Sequence, residues 1–301
     1  MDERKTAPNA PSAPIHVTNA QELTACVRAW SVDATTTAAR AAAGPALEAW
    51  DPTNMHHLPP RSHVLVVGRS GTGKTTALYD IVRGLDANTR QEQRAVWEAR
   101  ATGGSGVDIP CPTSGIELAI AFTRGLPIDL CGRCEAGEAP PLLPPWVVHS
   151  GFDEHALRVF MNYRDAWMAT GCDRPSLVVL DDVVATRSKA LRDMSAHRQA
   201  ARTSLVVCTG AVLDVPVSTR KNLDIIVCLD ARPKQLVALL QCANPNTGLT
   251  AATIKQLLQI KAALGPFWAL VLDVRDKPTA NRVFWFKAAF PPRVAPVKIG
   301  V

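Results

Sequence analysis

The sequence predicts an α/β fold, with a mostly parallel central sheet flanked by helices. Short, mainly apolar runs recur at 63–67 (HVLVV), 176–180 (SLVVL), 204–209 (SLVVCT) and 223–229 (LDIIVCL), as expected of strands buried on both faces. Stretches of helical periodicity separate them, most clearly at 153–170, which carries Leu157, Phe160, Met161 and Trp167. A glycine-rich loop joins the first run to a helical stretch that opens at Lys74.

The composition agrees. A chain of 301 residues with 47% hydrophobic and 20% charged side chains is average for a folded domain, which excludes disordered, collagen-like and fibrous classes. The length suits one domain of roughly 200–250 residues with an extension, or two modest domains. No apolar stretch approaches the roughly 20 residues that span a bilayer. The opening MDERKTAPNAPSAP has no apolar core and does not read as a secretory signal. A charge of +6 and a pI near 9.0 permit a polyanionic partner without requiring one. Most of the eight cysteines sit singly in apolar runs, which fits a reducing compartment.

In chain order, the first fifteen or so residues read as a tail. The composition of the Ala-rich stretch 20–50 allows one or two helices with a break at Gly44-Pro45, and an oligomer contact, a lid or a loose arm all fit it. The strand 63–67 leads into a helix from 74 to about 84. Residues 94–100 (RAVWEAR) alternate like a strand, and 145–149 (PWVVH) form another. Helices follow at 233–240 and 250–264, then strands at 267–274 and 282–287. The stretch 102–145 breaks the alternation with Gly103-Gly104-Ser105-Gly106, Cys111, Cys131-Gly-Arg-Cys134 and a Pro-rich run, and reads as a Cys-bearing insertion. The expected organisation is an extension over 1–50, a domain over 51–290 interrupted at 102–145, and a tail over 291–301. No repeat of solenoid period is present.

Gly68-Arg69-Ser70-Gly71-Thr72-Gly73-Lys74-Thr75 matches G-x-x-x-x-G-K-[ST] between a strand and a helix, the context this motif needs. Glycines let the backbone wrap closely around phosphate oxygens, and the freed N–H groups and helix start attract the anion. Residues 68–76, through Thr76, would cradle a nucleoside triphosphate. Lys74 would reach its β- and γ-phosphates, and the Thr75 hydroxyl would ligate Mg²⁺. The strand 176–180 ends in Asp181-Asp182. Asp181 is the expected Mg²⁺ partner, and Asp182 the residue that orients and deprotonates an attacking water. A turn and helix cap is the plainer reading of the pair. Together the two motifs predict a P-loop NTPase domain of the ASCE/RecA-like kind that binds ATP and Mg²⁺ and hydrolyses ATP.

Other candidates stay two-sided. Thr209, at the end of 204–209, is either a γ-phosphate sensor or a strand-end hydroxyl. Cys208 reads as a small buried apolar residue. Arg220, in VPVSTRKNLD (215–224), is either a guanidinium reaching the γ-phosphate of an adjacent subunit or an exposed residue of a short helix. Arg187, Lys189, Arg192 and Arg198 are candidate contacts to a DNA backbone or solvated surface charges. Cys131-x-x-Cys134 has zinc-knuckle spacing, and Cys111 and His149 could complete a Zn²⁺ site. Isolated reduced thiols are the alternative.

These pieces together resemble the packaging ATPases of large double-stranded DNA viruses of the poxvirus kind, within the FtsK/HerA superfamily. The resemblance lies in Asp51-Pro52…Leu58-Pro59-Pro60, GRSGTGKT, LVVLDD, His197-Arg198, Thr219-Arg220-Lys221-Asn222-Leu223-Asp224 and the two terminal strands. Where the family carries Gln at the end of the third strand, this chain has Cys208-Thr209. The resemblance implies a ring-forming motor that pumps viral DNA into a capsid using ATP. It implies double-stranded DNA, further copies of the chain and a capsid or portal protein as partners, with no membrane. The implied location is the host cytoplasm, a viral factory or the virion. A small-molecule kinase, a nucleotide-gated switch and a cellular or plasmid DNA pump are the competing readings. The absence of an Asn/Thr-Lys-x-Asp motif speaks against a GTPase.

Overall fold

The computed structural model describes residues 48–102, 115–124, 146–169, 175–196, 203–247, 249–264, 267–275 and 283–288. The strands are β1 (Glu48–Ala49), β2 (His63–Val67), β3 (Leu118–Thr123), β4 (Trp146–Ser150), β5 (Ser176–Asp181), β6 (Thr203–Thr209), β7 (Ile225–Cys228), β8 (Trp268–Asp273) and β9 (Val283–Lys287). They form one sheet in the order β1-β9-β8-β7-β2-β6-β5-β3-β4. Among them β8 alone runs against the others. The expected mostly parallel α/β sheet is what the chain adopts.

Each central strand is apolar on both sides because both faces are covered. Leu65, Val67, Leu205 and Val207 point into one core, and Val64, Val66, Val206 and Cys208 into the other. Cys208 is thus the buried small residue the sequence predicts. The second core is closed by α1 (Lys74–Thr102) through Ala77, Leu78, Ile81, Val82 and Leu85, with Trp50 and Leu58 beside it. The first is closed by α2 (Glu154–Ala169), α3 (Lys189–Ala196), α5 (Pro233–Ala243) and α6 (Ala251–Leu264). The short helix α4 (Val217–Lys221) lies in the connection from β6 to β7. Burying Leu, Ile and Val side chains fully contributes about 1.5–3 kcal/mol each, which outweighs any local preference of these runs.

Three expectations are corrected. Residues 94–100 are not a strand but the continuation of α1, which runs 29 residues. Their apolar members do not face a core: Val96 is 47% exposed. A helix already nucleated by buried turns propagates cheaply through good helix formers. Residues 115–124 are not inserted material, since they contain β3, fully buried between β5 and β4. Asp86 on α1 accepts the Ile116 N–H at 2.9 Å and pins the entry to that strand. The sheet also begins before residue 51, because Glu48 and Ala49 pair with Phe284 and Trp285. The rest of 1–47, Cys111, Cys131, Cys134 and His197-Arg198 lie outside the described residues. No described helix is long and apolar enough to cross a membrane.

Candidate functional site

The glycine loop leaves β2 between β6 and β7 and is fastened on both sides. The Gly68 N–H donates to the Thr209 carbonyl at 3.1 Å, and the Leu229 N–H donates to the Val67 carbonyl at 2.8 Å. Gly71 and Gly73 have φ of +79° and +97°, where a side chain would strain the backbone. Gly68 is needed for space as well, because a Cβ there would stand 2.5 Å from Thr72 Oγ1. The Thr72 hydroxyl donates to the Arg69 carbonyl at 2.8 Å and closes the loop on itself. Arg69, Ser70 and Gly71 are exposed, and the Arg69 guanidinium pairs with Asp230 at the end of β7.

Lys74 opens α1, and its side chain is only 9% exposed. Its ammonium lies 3.4 Å from the Arg69 carbonyl and 3.8 Å from Asp182 Oδ1, so it spans the loop toward β5. Thr75 is exposed and Thr76 half-buried in the first turn. Asp181 ends β5 in register with Cys208 of β6, itself opposite Val66 of β2. Its carboxylate is buried, and Oδ1 has no hydrogen-bond partner. Burial foremost, and then the Asp182 charge, raise its pKa to about 6 against the opposing pull of Lys74. Asp182 turns the chain with φ of +57°, a conformation Asp tolerates better than most residues. Its N–H donates to the Cys208 carbonyl at 2.9 Å, and its side chain stays half-exposed.

The residues present fit a hard divalent cation. An orphaned buried carboxylate with a raised pKa is a group in need of positive charge, and the nearby donors are oxygens, the kind Mg²⁺ takes. Asp181 and Thr75 would hold the ion, which would supply charge neutralisation for a polyphosphate. The loop beyond Asp182 is anchored by Ser188, whose hydroxyl donates to Glu154 of α2 at 2.5 Å. Nothing in the sequence pattern marks Glu154 for this role.

Not every candidate gathers here. The Thr209 hydroxyl accepts from the Ala211 N–H at 3.1 Å and lies 3.1 Å from Asp214 Oδ2. It closes a strand-end turn, while its carbonyl is the part that touches the loop. Arg220 lies at the other end of the strands. It precedes β7, whose first residues face the start of β2, and the Asp224 N–H donates to the His63 carbonyl at 2.9 Å. The guanidinium therefore cannot serve its own chain's loop. It is half-buried, and its Nε lacks a hydrogen-bond partner. Arg187, Lys189 and Arg192 are exposed on the segment after Asp182. His149 stacks on Phe122 with ring centroids 5.4 Å apart. Among the described residues no group of three or more His, Cys, Asp or Glu is placed to hold a metal.

No family model matches the chain, and no curated protein does. Solved structures with a similar course include B204, the DNA-packaging ATPase from Sulfolobus turreted icosahedral virus, at 15% identity and a TM-score of 0.44, covering 77% of this chain and 99% of that one. The genome packaging NTPase B204 from Sulfolobus turreted icosahedral virus 2 in complex with AMPPCP gives 15% and 0.45, over 77% and 99%. The cytoplasmic domain of the Thermomonospora curvata type VII secretion ATPase EccC gives 10% and 0.45, over 76% of this chain and 25% of that one. Likeness at this level says nothing of what this chain binds or does.

Proposed function

We propose that the chain is a Mg²⁺-dependent ATPase that drives double-stranded viral DNA into a capsid as one subunit of a ring. The observation that carries the hydrolytic part is the approach of Lys74 Nζ to within 3.8 Å of Asp182 Oδ1, beside the orphaned Asp181 carboxylate. Lys74 holds the terminal phosphate, and Asp182 accepts the proton of a water aligned against it. Asp181 and Thr75 keep the polyphosphate's counter-ion in place. The motor part rests on the resemblance of the motifs and on Arg220. A guanidinium too far from its own loop, with an unpartnered Nε, suits a γ-phosphate presented by a neighbouring copy. Arg187, Lys189 and Arg192, exposed just after the acid pair, would meet the DNA phosphates.

The test is ATP hydrolysis measured with and without linear duplex DNA, alongside mass measurement of the assembly with ATP and Mg²⁺. Turnover that rises with DNA in a closed ring supports the motor. Phosphate transfer to a small acceptor by a monomer overturns it in favour of a kinase.

A further inference from the structure

Phe267 is out of place as a folding residue. It stands immediately before β8 with φ of +67°, a conformation that bulky residues almost never adopt and that clusters at functional sites. Its neighbour Trp268 belongs to the core, whereas Phe267 belongs to neither buried apolar cluster. Its ring instead lies against the glycine loop. A Cβ on Gly73 would stand 2.5 Å from Phe267 Cδ1 and 3.2 Å from Cε1. The residue as a whole is half-buried.

The sheet order gives that position a meaning. Lys74, Asp181 and Asp182, which would take the terminal phosphate and its counter-ion, lie on the side of the loop toward β6 and β5. A triphosphate laid through the loop from that end leaves it on the opposite flank, toward β7 and β8. Phe267 stands at that flank. Lys261 of α6 lies near the same rim, where it feels the charges of Asp230 and Arg69, so the aromatic face adjoins a polar border.

We propose that Phe267 is the stacking wall for the base of the bound nucleotide. This rests on the reading of the loop as a nucleoside triphosphate site. An aromatic face attracts any nucleobase through its π-surface and discriminates weakly between them, so both purine triphosphates bind through it.

Calorimetric titration with ATP, GTP and inorganic tripolyphosphate, each with Mg²⁺, tests the assignment on the full chain. Phe267→Ala removes the ring, and Phe267→Asn removes it with a residue that accepts the left-handed backbone. Both variants weaken ATP and GTP by roughly 5- to 100-fold and leave tripolyphosphate affinity unchanged, while Phe267→Trp retains ATP binding. A parallel loss of ATP and tripolyphosphate overturns the proposal, because the ring then only props the loop. Unchanged ATP affinity in both ring-less variants overturns it as well. If the unaltered protein binds neither ATP nor tripolyphosphate, the failure lies with the nucleotide-site reading itself.

Discussion

The two rims of the sheet treat their polar groups in opposite ways. At the rim where the parallel strands begin, many of them satisfy one another. Asp224 Oδ2 accepts the His63 N–H at 2.8 Å, Arg164 donates to Thr203 at 3.0 Å, and Thr203 shares a hydrogen bond with Ser176. Asp273 is paired with Arg275, both side chains at or below 12% exposed. At the rim where those strands end, Asp181 has an orphaned oxygen, Lys74 has only long approaches to the Arg69 carbonyl and to Asp182, and Gly71, Gly73, Asp182 and Phe267 all have positive φ. Saturated polar networks rigidify a fold. Open α/β sheets bind their ligands outside the carboxyl ends of the strands. One rim therefore holds the sheet together, and the other is left incomplete for a ligand to complete. That rim is not wholly paired, since Arg220 Nε and Ser218 Oγ on α4 lack hydrogen-bond partners, and for Arg220 the proposed partner is a phosphate bound by another subunit.

Substitutions at the two rims should separate accordingly. Lys74→Ala has the largest effect: turnover falls to near background while circular dichroism and melting stay unchanged, since the ammonium faces the loop rather than a core. Normal hydrolysis in that variant would remove the incomplete rim from the chemistry. Asp182→Asn still hydrogen-bonds a water but cannot take its proton, so turnover drops by roughly 10²–10⁴-fold with ATP affinity retained. Arg220→Ala binds ATP normally and loses turnover on the order of 10³-fold. Mixing it with Lys74→Ala restores activity at interfaces pairing an intact loop with an intact Arg220. Co-assembly without recovery refutes an action between subunits.

The saturated rim answers differently. Arg275→Ala removes the guanidinium that neutralises the buried Asp273 carboxylate, leaving it the backbone N–H of residue 275, and lowers unfolding free energy by about 3 kcal/mol, with turnover per folded molecule unchanged. Lost turnover at full stability would erase the contrast between the rims. The smallest effect concerns Asp181, whose folded-state pKa of about 6 exceeds the usual 3.8. Its contribution to the nucleotide-free protein is therefore fully present below about pH 4 and is lost as pH rises through 6. Asp181→Asn flattens that slope and stabilises the free protein at pH 7 by on the order of 2 kcal/mol, while weakening the Mg²⁺ dependence of turnover. Thermal melts across pH 4–8 measure it.

The phosphate loop, the acid pair and seven of the nine strands among the described residues were legible because each is short-range: a spacing, or a mainly apolar run. β3 was hidden by its own composition. LAIAFT is diluted by alanine and set among Gly, Pro and Cys, and only its place between β5 and β4 makes it a strand. Residues 94–100 misled in the other direction, because alternation implies a strand only where a sheet is there to receive it. Thr209 was readable as a position but not as an orientation, since Asp214, which draws its hydroxyl away, is a neighbour by turn geometry. Phe267 left no trace at all. Its contact with Gly73 joins residues almost two hundred positions apart, and its backbone angle is not written in any motif.

The length of α1 has a mechanical consequence. Its first residue is Lys74, and by Glu92 it has crossed to the far rim, where Arg61 holds it through an ion pair at 2.6 Å. The last ten residues continue the helix beyond that pair. A rod of 29 residues is about 43 Å long, with about 27 Å between Lys74 and Glu92, so a tilt of about 5° about the Arg61–Glu92 pair moves the loop end by about 2 Å and the other end by about 1 Å. The two ends of α1 are thereby linked as the arms of a lever, with the Arg61–Glu92 pair as the fulcrum.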